Sequence, residues 1–264
     1  MNVDSVGLVY FSPTQTTIKV LNAIAQGSRI PVLERFDLTP SNAITRQYHE
    51  LTNDLAIIGA PVYAGRLPSV MVSRFQRIKG NGRPAIIVVV YGNRAYEDAL
   101  IELRDVSLEA GFRPIAAGAF IGEHSYSTSD LPIAVDRPDT EDVIKARAFG
   151  EAVRQKMMDS NSVLKGLQVP GNMPYKEVQT FSGIVPSVSE GDCTKCGICV
   201  RICPTGAIDE KNPANVSQDL CIRCCACIKK CPKNARRFDN PKIKQVTQWL
   251  YQNFSARKEP EIYL

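Results

Sequence analysis

All nine cysteines of this chain fall between Cys193 and Cys231, and the 192 residues before them contain none. Eight form two copies of C-x2-C-x2-C-x3-C-P: Cys193, Cys196, Cys199 and Cys203 before Pro204, then Cys221, Cys224, Cys227 and Cys231 before Pro232. A disulfide framework staples small secreted domains that cannot build a core. A long cysteine-free stretch precedes this cluster, so metal ligation is the better explanation. Structural zinc also uses paired C-x2-C units. A four-coordinate ion, however, has no use for a third cysteine at the same spacing and a fourth before proline, twice over. Three thiolates on a short loop suit three irons of a cube, and the fourth sulfur reaches the neighbouring cube. One 4Fe–4S cluster is therefore assigned to Cys193, Cys196, Cys199 and Cys231, and a second to Cys221, Cys224, Cys227 and Cys203. Gly197 and Ala226 keep side chains small where the backbone wraps each cluster. Cys225, the ninth thiol, reads either as a small buried residue or as an alternative ligand or redox-sensitive group.

The remaining chain is long enough for one medium α/β domain beside this small unit. No apolar run approaches the roughly 18 residues of a membrane span. Residues Met1–Ser5 lack the basic region and cleavage site of a secretory signal, which makes a cytoplasmic location the expectation. The net charge of +5 superficially favours nucleic acid. Two ligated clusters carry about −4 between them, and a bound phosphate adds more, so the excess reads as counter-charge for cofactors. The run Lys229, Lys230, Lys233, Arg236 and Arg237 sits on the cluster segment and equally suits an acidic redox partner.

Four short, continuous apolar runs mark the first 160 residues: Val6–Phe11, Leu55–Ala60, Ala85–Val90 and Ile115–Ile121. Such runs belong to strands buried on both faces of a parallel sheet. A weaker run, Pro31–Phe36, supplies a fifth. Between them, Ile18, Leu21 and Ala25, then Ala99, Leu100, Leu103, Val106 and Ala110, repeat at helical spacing. Gly111 caps the latter helix, and Thr140–Met158 is a further one. The pattern predicts a doubly wound, five-stranded parallel sheet over residues 1–160. A Pro- and Gly-containing linker spans 161–185, the cysteine domain 186–240, and a helix with a tail 241–264. Ile243, Val246, Leu250 and Phe254 mark that helix. The tail is compatible with docking on the first domain or with a loose end.

Doubly wound sheets bind ligands at the carboxyl ends of their strands. After the first strand stands Ser12-Pro13-Thr14-Gln15-Thr16-Thr17, directly before a helix. Its hydroxyls and free N–H groups suit a terminal phosphate. The glycine frame and lysine of a triphosphate loop are absent. Two further loops end strands on the same edge: Pro61-Val62-Tyr63-Ala64-Gly65-Arg66 and Tyr91-Gly92-Asn93-Arg94-Ala95-Tyr96. Each offers glycine for close backbone approach and an aromatic ring to stack on a flat one. Together they outline a slot for an isoalloxazine.

On these residues the first domain resembles a flavodoxin. That family's phosphate loop, roughly T/S-x-T/S-G-x-T/S, is met by Ser12, Thr14 and Thr17, with Gln15 at the glycine position. The whole chain resembles the flavodoxin–ferredoxin fusion proteins of anaerobes, an iron–sulfur flavoprotein family. The likeness rests on FSPT-x-TT, PVYAGRLP, VVYGNRAYEDAL, FIGEHSYS and the two cysteine motifs. It implies FMN on Ser12–Thr17, between the Tyr63 and Tyr91 loops, and a bacterial-type, α+β ferredoxin domain carrying both clusters.

The first reading is electron transfer between the clusters, FMN and a redox partner protein. A second is reduction of a small substrate at the flavin, with His124, Arg66 and Tyr126 as first suspects. A third is a non-enzymatic sensor or assembly protein without flavin, which only Gln15 favours. Arg66 and Arg94 are either partners for the N1–O2 edge of a reduced flavin or solvated loop arginines. His124 is either a proton donor or a plain loop histidine, and Asp98 reads as a helix-start residue. No nicotinamide fingerprint of the G-x-G-x-x-G kind is present.

Overall fold

In a computed structural model, residues 3–45, 49–158, 166–178 and 183–264 are described. The expected linker, 161–185, lies partly outside them. The elements run β1 (Val6–Tyr10), α1 (Thr16–Ser28), β2 (Val32–Asp37), β3 (His49–Glu50), β4 (Leu55–Pro61), α2 (Ser69–Phe75), β5 (Ile78–Lys79) and β6 (Pro84–Tyr91). Then follow α3 (Ala99–Glu109), β7 (Arg113–Ile121), α4 (Thr140–Met158), β8 (Ser187–Val188), α5 (Ile198–Arg201), α6 (Ala226–Lys229), β9 (Arg236–Arg237), α7 (Pro241–Phe254) and β10 (Glu261–Tyr263).

The main sheet has the order β10-β7-β6-β4-β1-β2. Its five strands from β2 to β7 are parallel, in the order that defines the flavodoxin-like doubly wound sheet. Every residue of β4 and β6 is buried, the physical reason those runs are continuous rather than alternating. Alternate side chains feed two cores. Leu55, Ile57, Ile86 and Val88 pack with α1 and α4, whereas Ile58, Ala60, Ile87 and Val89 pack with α2 and α3. Helices α1 and α4 meet almost backbone to backbone. A Cβ on Gly27 would stand 1.9 Å from the Arg147 carbonyl oxygen, and one on Gly150 2.0 Å from that of Ile24.

The sixth strand extends the expectation of five. The tail folds back as β10, antiparallel to β7, pairing Glu261 with Ala119 and Tyr263 with Ala117. Three side chains of the first domain hold it there. Tyr96 Oη lies 2.7 Å from the Glu261 carboxylate and 2.8 Å from Tyr263 Oη. Asn93 Nδ2 donates to the Phe254 and Ala256 carbonyls at 2.6 and 2.8 Å. Arg137 donates to the Lys258 carbonyl while forming a buried bidentate pair with Asp142. Helix α7 begins at the cap Asn240, whose side chain accepts from Lys242 N–H, with Pro241 in the first turn.

A second link joins the cysteine segment to the sheet domain. The buried Arg74 guanidinium donates to the carbonyls of Leu38, Thr39 and Pro40 and, at 2.6 Å, to that of Pro204. Among the described residues no helix is long and apolar enough to cross a membrane.

Arg137→Ala would strip the buried Asp142 carboxylate of its bidentate partner and leave only Arg257, at 3.6 Å. Removing one partner of such a pair costs about 3–5 kcal/mol, so the urea midpoint should fall markedly. The double replacement Arg137→Met/Asp142→Leu should recover much of that loss in the same titration.

Candidate functional site

The two cysteine repeats fold alike. In each, two residues take the left-handed conformation: Lys195 (φ 53°) and Gly197 (φ 72°), then Arg223 (φ 54°) and Cys225 (φ 62°). The second of each pair starts a one-turn helix, α5 or α6. Cys225 thus occupies the position that glycine fills in the first repeat, and it is buried. The sulfurs gather in two cavities. Cys193, Cys196, Cys199 and Cys231 line one, and Cys203, Cys221, Cys224 and Cys227 line the other. Each set takes its fourth sulfur from the opposite repeat, the grouping the spacing predicted.

The donor set suits clusters. All nine thiols are free. The fourth sulfur of each repeat accepts a backbone N–H four residues on, Ala207 to Cys203 and Ala235 to Cys231, both at 3.3 Å. Burial pushes the Cys224 and Cys227 thiols up to about 12. Thiolates so placed need the positive charge that iron supplies.

A third cavity, of about 310 Å³, opens at the carboxyl ends of the strands. Thr14, Thr16, Pro61, Val62, Tyr63, Ala64, Tyr91, Gly92 and Arg94 line it, all predicted flavin contacts. The Ser12–Thr17 loop keeps a glycine-like turn despite its glutamine: Gln15 sits at φ 68°, and its N–H donates to the Ser12 carbonyl at 3.1 Å. An L-residue pays about 1–2 kcal/mol for that conformation. Ser12 Oγ accepts the Ile18 N–H at 3.2 Å, and Lys19 N–H returns to Gln15. The Thr16 and Thr17 N–H groups have no intrahelical acceptor at this position, and the buried Thr17 Oγ1 has no partner. This donor-rich turn, with Thr14 and Thr16 on the cavity wall, fits a phosphate.

Other predicted contacts lie elsewhere. Arg66 is paired with Glu102 at 2.7 Å, donates to the Lys176 carbonyl and stacks on Tyr175, so it braces the loop instead of facing the cavity. Asn93 and Tyr96 are committed to the C-terminal segment. Gly65 turns toward Glu97, where a Cβ would collide with the carboxylate. Asp98 starts α3 without capping it and instead accepts the N–H groups of Asn172 and Lys176.

His124 lines the cavity, but not as a cationic acid. Burial above all, then Lys229 and Arg94, lowers its pKa to about 4. Its Nδ1 accepts the Tyr126 N–H at 3.0 Å, so the neutral ring carries its proton on Nε2.

Sequence reasoning missed a whole wall of this cavity: Val246, Trp249 and Leu250 of α7, and Ile222 and Arg223 between Cys221 and Cys224, whereas Tyr126, one of the first suspects, does line it. The periodicity of α7 marked an apolar face but not what it covers.

Residues 186–209 and 214–237 match the family described as 4Fe-4S binding domain. The chain joins a flavodoxin-like domain to a ferredoxin-type 4Fe–4S domain. Among solved structures, an archaeal flavodoxin is similar at 12% identity over 58% of this chain and 99% of its own (TM-score 0.39). A Streptococcus pneumoniae TIGR4 flavodoxin is 17% identical over 58% of this chain and 99% of its own (TM-score 0.39). The rubredoxin oxygen:oxidoreductase of Desulfovibrio gigas is 12% identical over 61% of this chain and 37% of its own (TM-score 0.42). No curated protein matches.

The chain has two histidines, so proton NMR can follow each ring, with His124→Gln as the assignment. The His124 ring should stay neutral from pH 8 to pH 6, where an ordinary imidazole of pKa about 6.5 gains its proton.

Proposed function

We propose that this chain is an electron-transfer iron–sulfur flavoprotein in which two 4Fe–4S clusters exchange electrons with FMN. One observation carries the reading. Ile222 and Arg223 line both the second thiol cavity and the large cavity. The loop that would hold one cluster is therefore a wall of the site that would hold the flavin.

The residues divide the work as follows. Thr14, Thr16 and the start of α1 bind the phosphate. Tyr63, half-buried, stands beside the cluster loop: burial raises its phenol pKa, and Cys224 and Cys225 raise it further. Tyr126 also lines the cavity and packs edge-on against His124 and Phe238. Val246, Trp249 and Leu250 of helix α7 supply an apolar wall, and neutral His124 offers an Nε2–H donor. When bound, FMN supplies one- and two-electron chemistry and each cluster one-electron chemistry. Covalent fusion keeps them at high effective concentration.

Anaerobically purified protein should contain about eight irons and about eight sulfides per chain, with about one FMN. Trp249 is the single tryptophan and lines the cavity, so FMN added to flavin-stripped protein should quench its emission. Thr14→Val/Thr16→Val should weaken that binding at least about tenfold, because hydrogen bonds to a charged group contribute about 1.5–3 kcal/mol each. A full iron complement with no FMN bound after titration would overturn this reading in favour of a flavin-free sensor.

A further inference from the structure

The two thiol sets differ in what surrounds them. The second is walled in by the sheet domain: Cys203 and Cys224 are buried, Arg74 grips the Pro204 carbonyl, and Lys229 on the adjoining helix reaches Glu123 and the Ser127 carbonyl. The first set faces outward. Cys196 is the exposed cysteine of the chain, and exposed Lys195 and Lys233 line its cavity. Arg201, also exposed, donates to the Cys196 carbonyl at 3.3 Å, and exposed Lys230 directly precedes Cys231.

The basic run of the sequence is thereby sorted by the fold. Lys229 turns to the sheet domain, buried Arg236 donates to the Pro213 carbonyl, and Arg237 pairs with Asp239. Lys195, Arg201, Lys230 and Lys233 remain as a rim around the outward cavity. Glu190 and Asp192 precede Cys193 in the chain, and Asp192 is held by Ser189. The four rim side chains are all basic.

Building on the electron-transfer reading, we infer that the Cys193–Cys196–Cys199–Cys231 site is the external electron port and that its Lys195/Arg201/Lys230/Lys233 rim docks an acidic redox protein. In the reducing direction the partner loses one electron and is oxidised by one, and this chain gains that electron at the port. The reverse transfer uses the same contact. A basic rim around an exposed port raises encounter rates with an acidic partner and makes them salt-dependent.

The probe is a reduced, acidic plant-type 2Fe–2S ferredoxin, mixed anaerobically with the oxidised holoprotein in a stopped-flow instrument at low salt. Cluster bleaching and flavin reduction are followed separately. Lys195→Glu/Lys233→Glu should slow cluster bleaching about tenfold or more and flatten its salt dependence, while iron content and reduction by dithionite stay unchanged. Lys79→Glu/Arg113→Glu, at the opposite end of the sheet, should leave the rate within about twofold. If charge reversal lowers iron content, Lys195→Gln/Lys233→Gln takes its place, with an expected slowing of about threefold or more. An unchanged rate in an iron-replete rim variant, or equal slowing in the control pair, overturns the inference. Cluster bleaching through the rim in protein that never binds FMN would instead refute the flavin reading and leave the port standing.

Discussion

The guanidinium of Arg74 is the interaction on which the relation between the two halves depends. It is almost wholly buried, and burial lowers its pKa from the ordinary arginine value. A cation in such a place is costly unless its donors find acceptors, and here four backbone carbonyls accept from the two Nη groups, while the buried Nε has no partner. Three belong to the loop after β2 and one to Pro204, beside Cys203. The Leu38–Pro40 loop is itself tied to the phosphate turn, because Ser12 N–H donates to Thr39 Oγ1 at 2.8 Å. A short chain of hydrogen bonds therefore runs from the Ser12–Thr17 turn to Pro204, the neighbour of Cys203.

The C-terminal segment closes the arrangement from the other side. Strand β10 gains its place by hydrogen-bonding to β7, and Tyr96, Asn93 and Arg137 fix the stretch between helix and strand. The C-terminal end of helix α7 is thus fixed beside the cavity that its Val246, Trp249 and Leu250 line. Two residues expected to touch flavin, Asn93 and Tyr96, serve this strap instead. Their position after a strand was read correctly, but their partners lie more than 160 residues away in sequence, beyond any local signal.

Local patterns carried much of the rest. Continuous apolar runs identified β1, β4, β6 and β7 because burial on both faces removes alternation. The threonine-rich turn before α1 was legible as a donor-rich helix start because hydroxyls and a helix N-terminus are adjacent in the chain. Gln15 shows the limit of reading by residue type. Glycine is favoured in a left-handed turn but not required, and the surrounding hydrogen bonds hold glutamine there at modest strain. Arg66 shows the opposite failure, since an arginine in a ligand loop is drawn to the nearest buried carboxylate, Glu102.

The sequence by itself determined the two cysteine loops, because four sulfurs at C-x2-C-x2-C-x3-C spacing can reach their places through a few backbone dihedrals. It determined the parallel sheet for the same reason: periodicity and burial are local properties. Only the tertiary structure decided which thiol set faces the large cavity and which faces solvent, that Ile222 and Arg223 line two cavities at once, and that α7 forms one wall of the larger. Those facts follow from long-range packing and buried hydrogen bonds between segments far apart in the chain, and residue order alone does not encode which distant partner wins.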